Sequence, residues 1–237
     1  MGLFDKLFNQ PNAKSSPGLI RDTLFGDLPL DLWPSDQGQP DEFPWASFIS
    51  ARRHVEASEI DLAKQCWLQI ISTAGLESRH YAQAWYFLRQ YGASPSAESS
   101  KTILGIVIEV GMPKGLDLLA AYPDYHARYY NFSGAGVIWE HPDTSLDQII
   151  DRLFAAAASV VVQTGPWKKE RPDPPTRGEM RISLLTPSGL HFGEAAIQAL
   201  VADSLAAPVI HAGGQLLQAL IGKHQPAQHP LGVRSQG

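Results

Sequence analysis

Glu109 and Asp117 are the carboxylates in this 237-residue chain whose placement could do chemistry, because each lies in a strand-like run beside the stretch Gly111–Gly115. If that stretch is a loop, antiparallel pairing sets Glu109 opposite Asp117. Two adjacent carboxylates repel, and burying them raises one pKa toward that of a general acid, the arrangement many hydrolases use. Turns at Pro123-Asp124 and Ser133–Gly136 continue the register, with Asp117 opposite Tyr130 and Tyr130 opposite Trp139. The same face then carries Leu119, Arg128 and His141, while Ile106, Ile108, Leu116, Leu118, Ala120, Ala127, Tyr129 and Ile138 form the opposite, core-facing side. Glu109, Asp117, Arg128, Tyr130 and Trp139 are therefore the candidate binding surface, since tyrosine and tryptophan offer large contact area at low rotamer cost. The competing reading is a solvated sheet face on which Arg128 offsets the nearby carboxylates.

Other chemistry has weaker support. Metal sites need converging His, Cys or carboxylate ligands, but His80, His126, His141, His191 and His211 are scattered singly, so no metal is expected. Cys66 stands in an apolar, helix-periodic stretch where a buried thiol packs. Gly111–Gly115 and Gly134–Gly136 lead into strands rather than helices, which makes them hairpin turns and not phosphate cradles. No G-x-S-x-G elbow recommends Ser133 or Ser188 as a nucleophile. Trp167-Lys-Lys-Glu-Arg171, with Arg177 and Arg181, is a basic cluster diluted by Glu170, Asp173 and Glu179, and it reads as a solvated loop. No cofactor is expected.

The elements that must position these residues make an α+β chain: an N-terminal helical hairpin or bundle, then an antiparallel β-meander sheet packed with helices. Residues 1–43 read as an extended arm or linker, either docking its apolar islands Leu19–Phe25 and Leu28–Trp33 or remaining disordered. Residues 44–95 read as a helical subdomain with three apolar stripes, the second helix capped at Ser58 and the third stopped by Gly92. Trp67 and Trp85 lie on those stripes and are expected to be buried. Residues 100–223 read as an α+β domain: four meander strands, a helix capped near Thr144, a proline-rich exposed loop over Gly165–Gly178, a hairpin about Pro187-Ser-Gly189, and two helices, about Glu194–Ala206 and Pro208–Lys223. Residues 224–237 read as a flexible tail.

Ala84-Trp85-Tyr86 with Leu88 resembles the first helix of a tetratricopeptide repeat, and the resemblance extends over about one helical hairpin, residues 58–91. It implies a concave protein-binding surface. Gly75–Tyr81 and Leu185–Gly193 resemble segments of uncharacterised bacterial proteins, which implies a bacterial source and no function.

A net charge of -5 supplies no general attraction for nucleic acid or anionic lipid. Met1–Phe8 lacks the long apolar core of a secretory signal, and no stretch is long enough to span a membrane, so a cytoplasmic protein without stable membrane association is expected. With catalytic motifs missing and interface-prone aromatics plentiful, the expected function is a non-catalytic protein-interaction or adaptor protein, with a protein as partner. The alternatives are a hydrolase-type enzyme using the carboxylate pair, or a small-ligand-binding module.

Overall fold

The computed structural model describes residues 17–33 and 41–224. Expectations for Met1–Phe8 and for the tail beyond His224 lie outside the described residues. Among those described, seven helices accompany one six-stranded antiparallel sheet, which confirms the α+β class. Helices α1 (Pro17–Phe25), α2 (Trp45–Glu56), α3 (Ile60–Ser72) and α4 (Ser78–Gln90) precede β1 (Gly105–Met112), β2 (Gly115–Ala121), β3 (Ala127–Tyr130) and β4 (Gly136–Trp139). Then come α5 (Asp147–Gln163), β5 (Glu179–Thr186), β6 (Gly189–Ala196), α6 (Ile197–Ala202) and α7 (Ala206–His224). The expected meander is present, and the β5–β6 hairpin joins its free β1 edge to give the order β4-β3-β2-β1-β5-β6.

Because strand side chains alternate, this sheet has two separate cores. On one face Ile106, Ile108, Leu119, Ile182 and Leu184 meet Ile150, Leu153 and Ala157 of α5 and Val209, Leu216 and Leu220 of α7. Gly213 permits the close approach of α7, since a Cβ there would lie 2.6 Å from Ile108 Cδ1. On the other face Val107, Leu118, Ala120, Tyr122 and Leu185 meet Ile20, Leu24 and Phe25 of α1 and Ala82 of α4. A third core holds Trp67, Phe48, Phe87 and Leu88 of the three-helix bundle together with Leu28 and Trp33. Helix α4 faces both the bundle and the sheet.

The described part of the N-terminal arm is therefore docked. Its first apolar island is the helix α1, and the second is held by polar contacts as well as by Leu28. Gln83 donates from Nε2 to the Leu28 carbonyl at 2.9 Å, and its Oε1 accepts from the Leu28 amide at 3.1 Å. This clamp satisfies both backbone groups of a buried residue.

Several local expectations are corrected. Ser58 makes no cap for α3: it has φ 63, and Glu59 stands at the N-cap position without a side-chain bond to the helix. Trp67 is buried, but Trp85 is only half-buried at the edge of the bundle. Residues 194–196 belong to strand β6, so the helix expected there shrinks to the six residues of α6.

The loop before β5 is exposed over most of its length, as expected, but it is anchored to the body. Pro175 is buried, and the carbonyls of Pro172 and Asp173 accept hydrogen bonds from buried arginines. Gly111 makes the docking possible, because a Cβ there would lie 1.9 Å from the Thr176 carbonyl oxygen. Proline stops regular structure here, but its carbonyls remain good acceptors.

His80 couples the bundle to pH. Its ring packs against Trp45 with centroids 4.8 Å apart, and burial pushes its pKa down to about 4. The unfolded chain titrates this group near 6.5, so the stability from burying neutral His80 is complete above that pH. It is lost as pH falls toward 4. We expect a loss of about 2 kcal/mol at pH 5 relative to pH 7.5. Urea unfolding at both pH values checks this, and His80→Phe should remove that part of the pH dependence; an unchanged pH difference in the variant would contradict the assignment.

Candidate functional site

The carboxylate pair expected from sequence does not form. The β1–β2 connection is the two residues Pro113 and Lys114, with Met112 paired to Gly115, so Glu109 faces Leu118 and Asp117 faces Val110. A shift of one residue sends the second carboxylate to the opposite face of the sheet. The β2–β3 register also differs, placing Tyr130 opposite Leu118. In the β3–β4 turn the side chain of Asn131 accepts from the amides of Ser133 and Ala135, starting the turn early. Tyr130 consequently pairs with Gly136, and Trp139 with Ala127.

Of the five residues expected to share a surface, Glu109, Arg128 and Tyr130 lie on one face, and Asp117 and Trp139 on the other. Asp117 accepts from Tyr129 Oη at 3.0 Å and from the Phe132 amide at 2.8 Å. Trp139 is buried beneath Lys223, whose Nζ sits 5.0 Å from the ring centroid. Glu109, Arg128 and Tyr130 are buried as well, so these residues do not make an open binding face.

Glu109 is instead the centre of an ionic cluster under α1. Its Oε1 accepts from Arg21 Nε at 2.5 Å, and its Oε2 from Arg181 Nη1 at 3.2 Å. Arg181 also pairs with Glu194 and donates to the carbonyl of Asp173, while both arginines donate to the carbonyl of Pro172. Arg128 does not join them, pairing with Glu140 through Nη2 at 2.8 Å. Both oxygens of this fully buried carboxylate are taken by guanidiniums, which leaves none to meet a substrate and makes the cluster a fastening rather than an acid/base site.

An open cleft of about 490 Å³ lies where the end of α1, helix α4, the loop before β5 and the β5–β6 turn meet. Its walls include the apolar Phe25, Ala82, Leu185 and Leu190, the aromatics Tyr86 and Trp167, and four cations, Arg89, Lys168, Lys169 and Arg171, against the two carboxylates Asp27 and Glu170. Arg171 is committed: it pairs with Asp22 and Asp27 and lies over the Phe25 ring, 4.3 Å from its centroid.

Arg89 is in a different position. Its Nη1 donates to the carbonyls of Thr186 at 3.3 Å and Pro187 at 3.0 Å, and among the described residues no carboxylate pairs with it. Burial pulls its pKa down to about 10, only partly countered by Asp27 and Tyr86. A partly desolvated guanidinium without a counter-ion is stabilised by any anion that enters the cleft. Helical periodicity marks position 89 only as the end of a helix; what gives it this role is the β5–β6 turn, which is distant in sequence.

A hydroxyl–imidazole chain borders the cleft. Thr164 Oγ1 lies 3.0 Å from His191 Nδ1, His191 Nε2 is 3.3 Å from Ser188 Oγ, and Ser188 Oγ is 2.9 Å from Thr186 Oγ1. Thr186 Oγ1 donates to the Gly189 carbonyl at 2.8 Å and Thr164 Oγ1 to the Val160 carbonyl at 2.9 Å, so Thr164 accepts from His191 Nδ1–H. His191 is buried, and burial with Lys101 nearby holds its pKa below the usual value, keeping the ring neutral. With Nδ1 protonated in a neutral ring, Nε2 keeps its lone pair, and the single Ser188 hydroxyl proton has two acceptors in reach, Thr186 Oγ1 at 2.9 Å and Nε2 at 3.3 Å; the shorter contact ties Ser188 to the turn.

Among the described residues no three His, Cys, Asp or Glu side chains gather as a metal site, and no helix is long and apolar enough to cross a membrane. Comparison with protein-family models, with curated proteins and with solved structures finds no match, so the case for function rests on the cleft.

Proposed function

We propose that this chain is a non-catalytic protein-interaction module that holds an acidic segment of a partner protein in the cleft between α4 and the β5–β6 turn. The observation that carries the reading is Arg89, a partly desolvated guanidinium in an open cleft with no carboxylate partner among the described residues. Exposed Lys168 and Lys169 add attraction at the rim, and Trp167, 40% exposed, gives a partner chain an aromatic surface. The rest of the molecule supports recognition by this patch rather than by a general field, since the net charge of the chain is -5.

An array of acidic peptides, probed with the full chain at low and at physiological salt, tests this. The chain should bind a subset of them, more weakly as salt rises. An Arg89→Ala/Lys168→Ala/Lys169→Ala variant with an unchanged melting midpoint should lose that binding. If the variant binds as the parent does, or the parent binds no acidic peptide, the cleft is not the interaction site.

A further inference from the structure

Building on that reading of the cleft, we infer that the anionic group it accepts is a planar carboxylate, taken in two parallel hydrogen bonds by the Nε/Nη2 edge of Arg89. The guanidinium is oriented before any ligand arrives. Its Nη1 is held by the Thr186 and Pro187 carbonyls, both on the β5–β6 turn, which fixes the plane of the group. The opposite edge, Nε and Nη2, has no hydrogen-bond partner among the described residues, and two parallel N–H groups on one edge match the two oxygens of a carboxylate.

The turn also leaves this edge uncovered. Gly189, with φ 129, has no side chain to lay over Arg89; a Cβ there would stand 3.9 Å from Arg89 Nε and 3.5 Å from the Trp167 carbonyl oxygen. The other guanidinium of the cleft offers the ligand no fork, because its Nε and Nη2 are already on Asp27 and Asp22 and its unpartnered Nη1 is buried. A phosphate dianion calls for several converging donors and would meet Asp27 and Glu170 in the same walls. A singly charged, planar group meets less repulsion and uses the one guanidinium edge on offer.

Such a carboxylate has two sources, an acidic peptide or a small organic acid, and the test separates them. The full chain, labelled with 15N, is titrated at constant ionic strength with sodium acetate, sodium succinate, inorganic phosphate, and a tetra-glutamate peptide with blocked ends. The arginine Nε–H signals are followed, that of Arg89 being assigned by its absence in Arg89→Lys. The carboxylates should shift the Arg89 signal saturably and bind about tenfold or more tightly than phosphate. Arg89→Lys, which keeps the charge but loses the fork, should weaken carboxylate binding about tenfold or more without moving the melting midpoint.

Saturation by the peptide at far lower concentration than by acetate or succinate assigns the carboxylate to a partner protein, and the reverse assigns it to a small acid. Phosphate binding as tightly as carboxylate, or an Arg89→Lys variant binding as the parent does, overturns the two-bond carboxylate while leaving an anion-binding cleft. No shift of Arg89 with any of the four probes overturns both.

Discussion

Glu109→Ala should lower the free energy of unfolding by about 3–5 kcal/mol, among the largest effects of any single substitution in this chain. Glu109 is fully buried and lies between Arg21, 7% exposed, and Arg181, 2% exposed. Ion pairs of this kind contribute little net stability when intact, because desolvating the charges costs about as much as their attraction returns. Removing one member is different, since the remaining charges stay buried without their counter-ion. Arg181 would keep Glu194, but among the described residues Arg21 would keep the Pro172 carbonyl and the Phe25 ring, and no counter-ion in contact.

Urea unfolding of Glu109→Ala measures the total loss, and protease sensitivity of α1 reports where it falls. Helix α1 should become the first segment cleaved, because Arg21 is its ionic tie to β1. The paired replacement Glu109→Leu/Arg21→Met should recover most of the stability, as apolar groups of similar size need no counter-charge. A single variant within about 0.5 kcal/mol of the parent would mean that water reaches the cluster and that it is not the fastening described here.

This cluster also shows where sequence reading stops. The α+β class, the three N-terminal helices, the four-stranded meander and the β5–β6 hairpin follow from periodicity and from turn residues such as Pro123-Asp124 and Pro187-Ser-Gly189, because these signals are local. Register is also local in origin but less forgiving. A five-residue β1–β2 connection sets Glu109 against Asp117, whereas the two-residue connection present sets it against Leu118, and the carboxylate pair disappears. The third turn starts at Asn131, whose side chain mimics a backbone turn, and this start sends Trp139 to the face opposite Tyr130.

The buried arginines carry no local signal at all. Arg21, Arg128 and Arg181 sit in strand or helix positions whose periodicity says only which way they point. Their partners come from a strand 88 residues away, from the strands on either side of β5, from the residue just beyond β4 and from a proline loop. Helix α4 is a parallel case: it buries Arg79, His80 and Gln83 besides its apolar stripe, because the N-terminal arm and the sheet cover sides that a simple bundle would leave wet. The cleft around Arg89 requires four separate segments, so no motif at the level of the chain announces it.

Trp67→Ala should destabilise the fold by about 3–5 kcal/mol, the cost of deleting a large buried side chain and leaving a cavity. Trp67 is 0% exposed and stacks on Tyr91, with ring centroids 5.3 Å apart, while Phe87 lies 5.4 Å away. These contacts join α3 to α4, the helix that also carries His80, Gln83 and Arg89, so the loss should reach the cleft as well as the bundle. A smaller replacement separates packing from polarity. The Trp67 Nε1–H is buried with no acceptor among the described residues, and an unmet donor of that kind costs about 1–3 kcal/mol. Trp67→Phe keeps most of the ring contacts and removes that donor, so its loss should be much smaller than that of the alanine variant. Trp85→Ala, at a half-buried position, should also fall well below Trp67→Ala. Denaturant unfolding of the three variants gives the order directly. Equal losses for Trp67→Phe and Trp67→Ala would show that the indole nitrogen has a partner and that the stability here comes from a hydrogen bond rather than from packing.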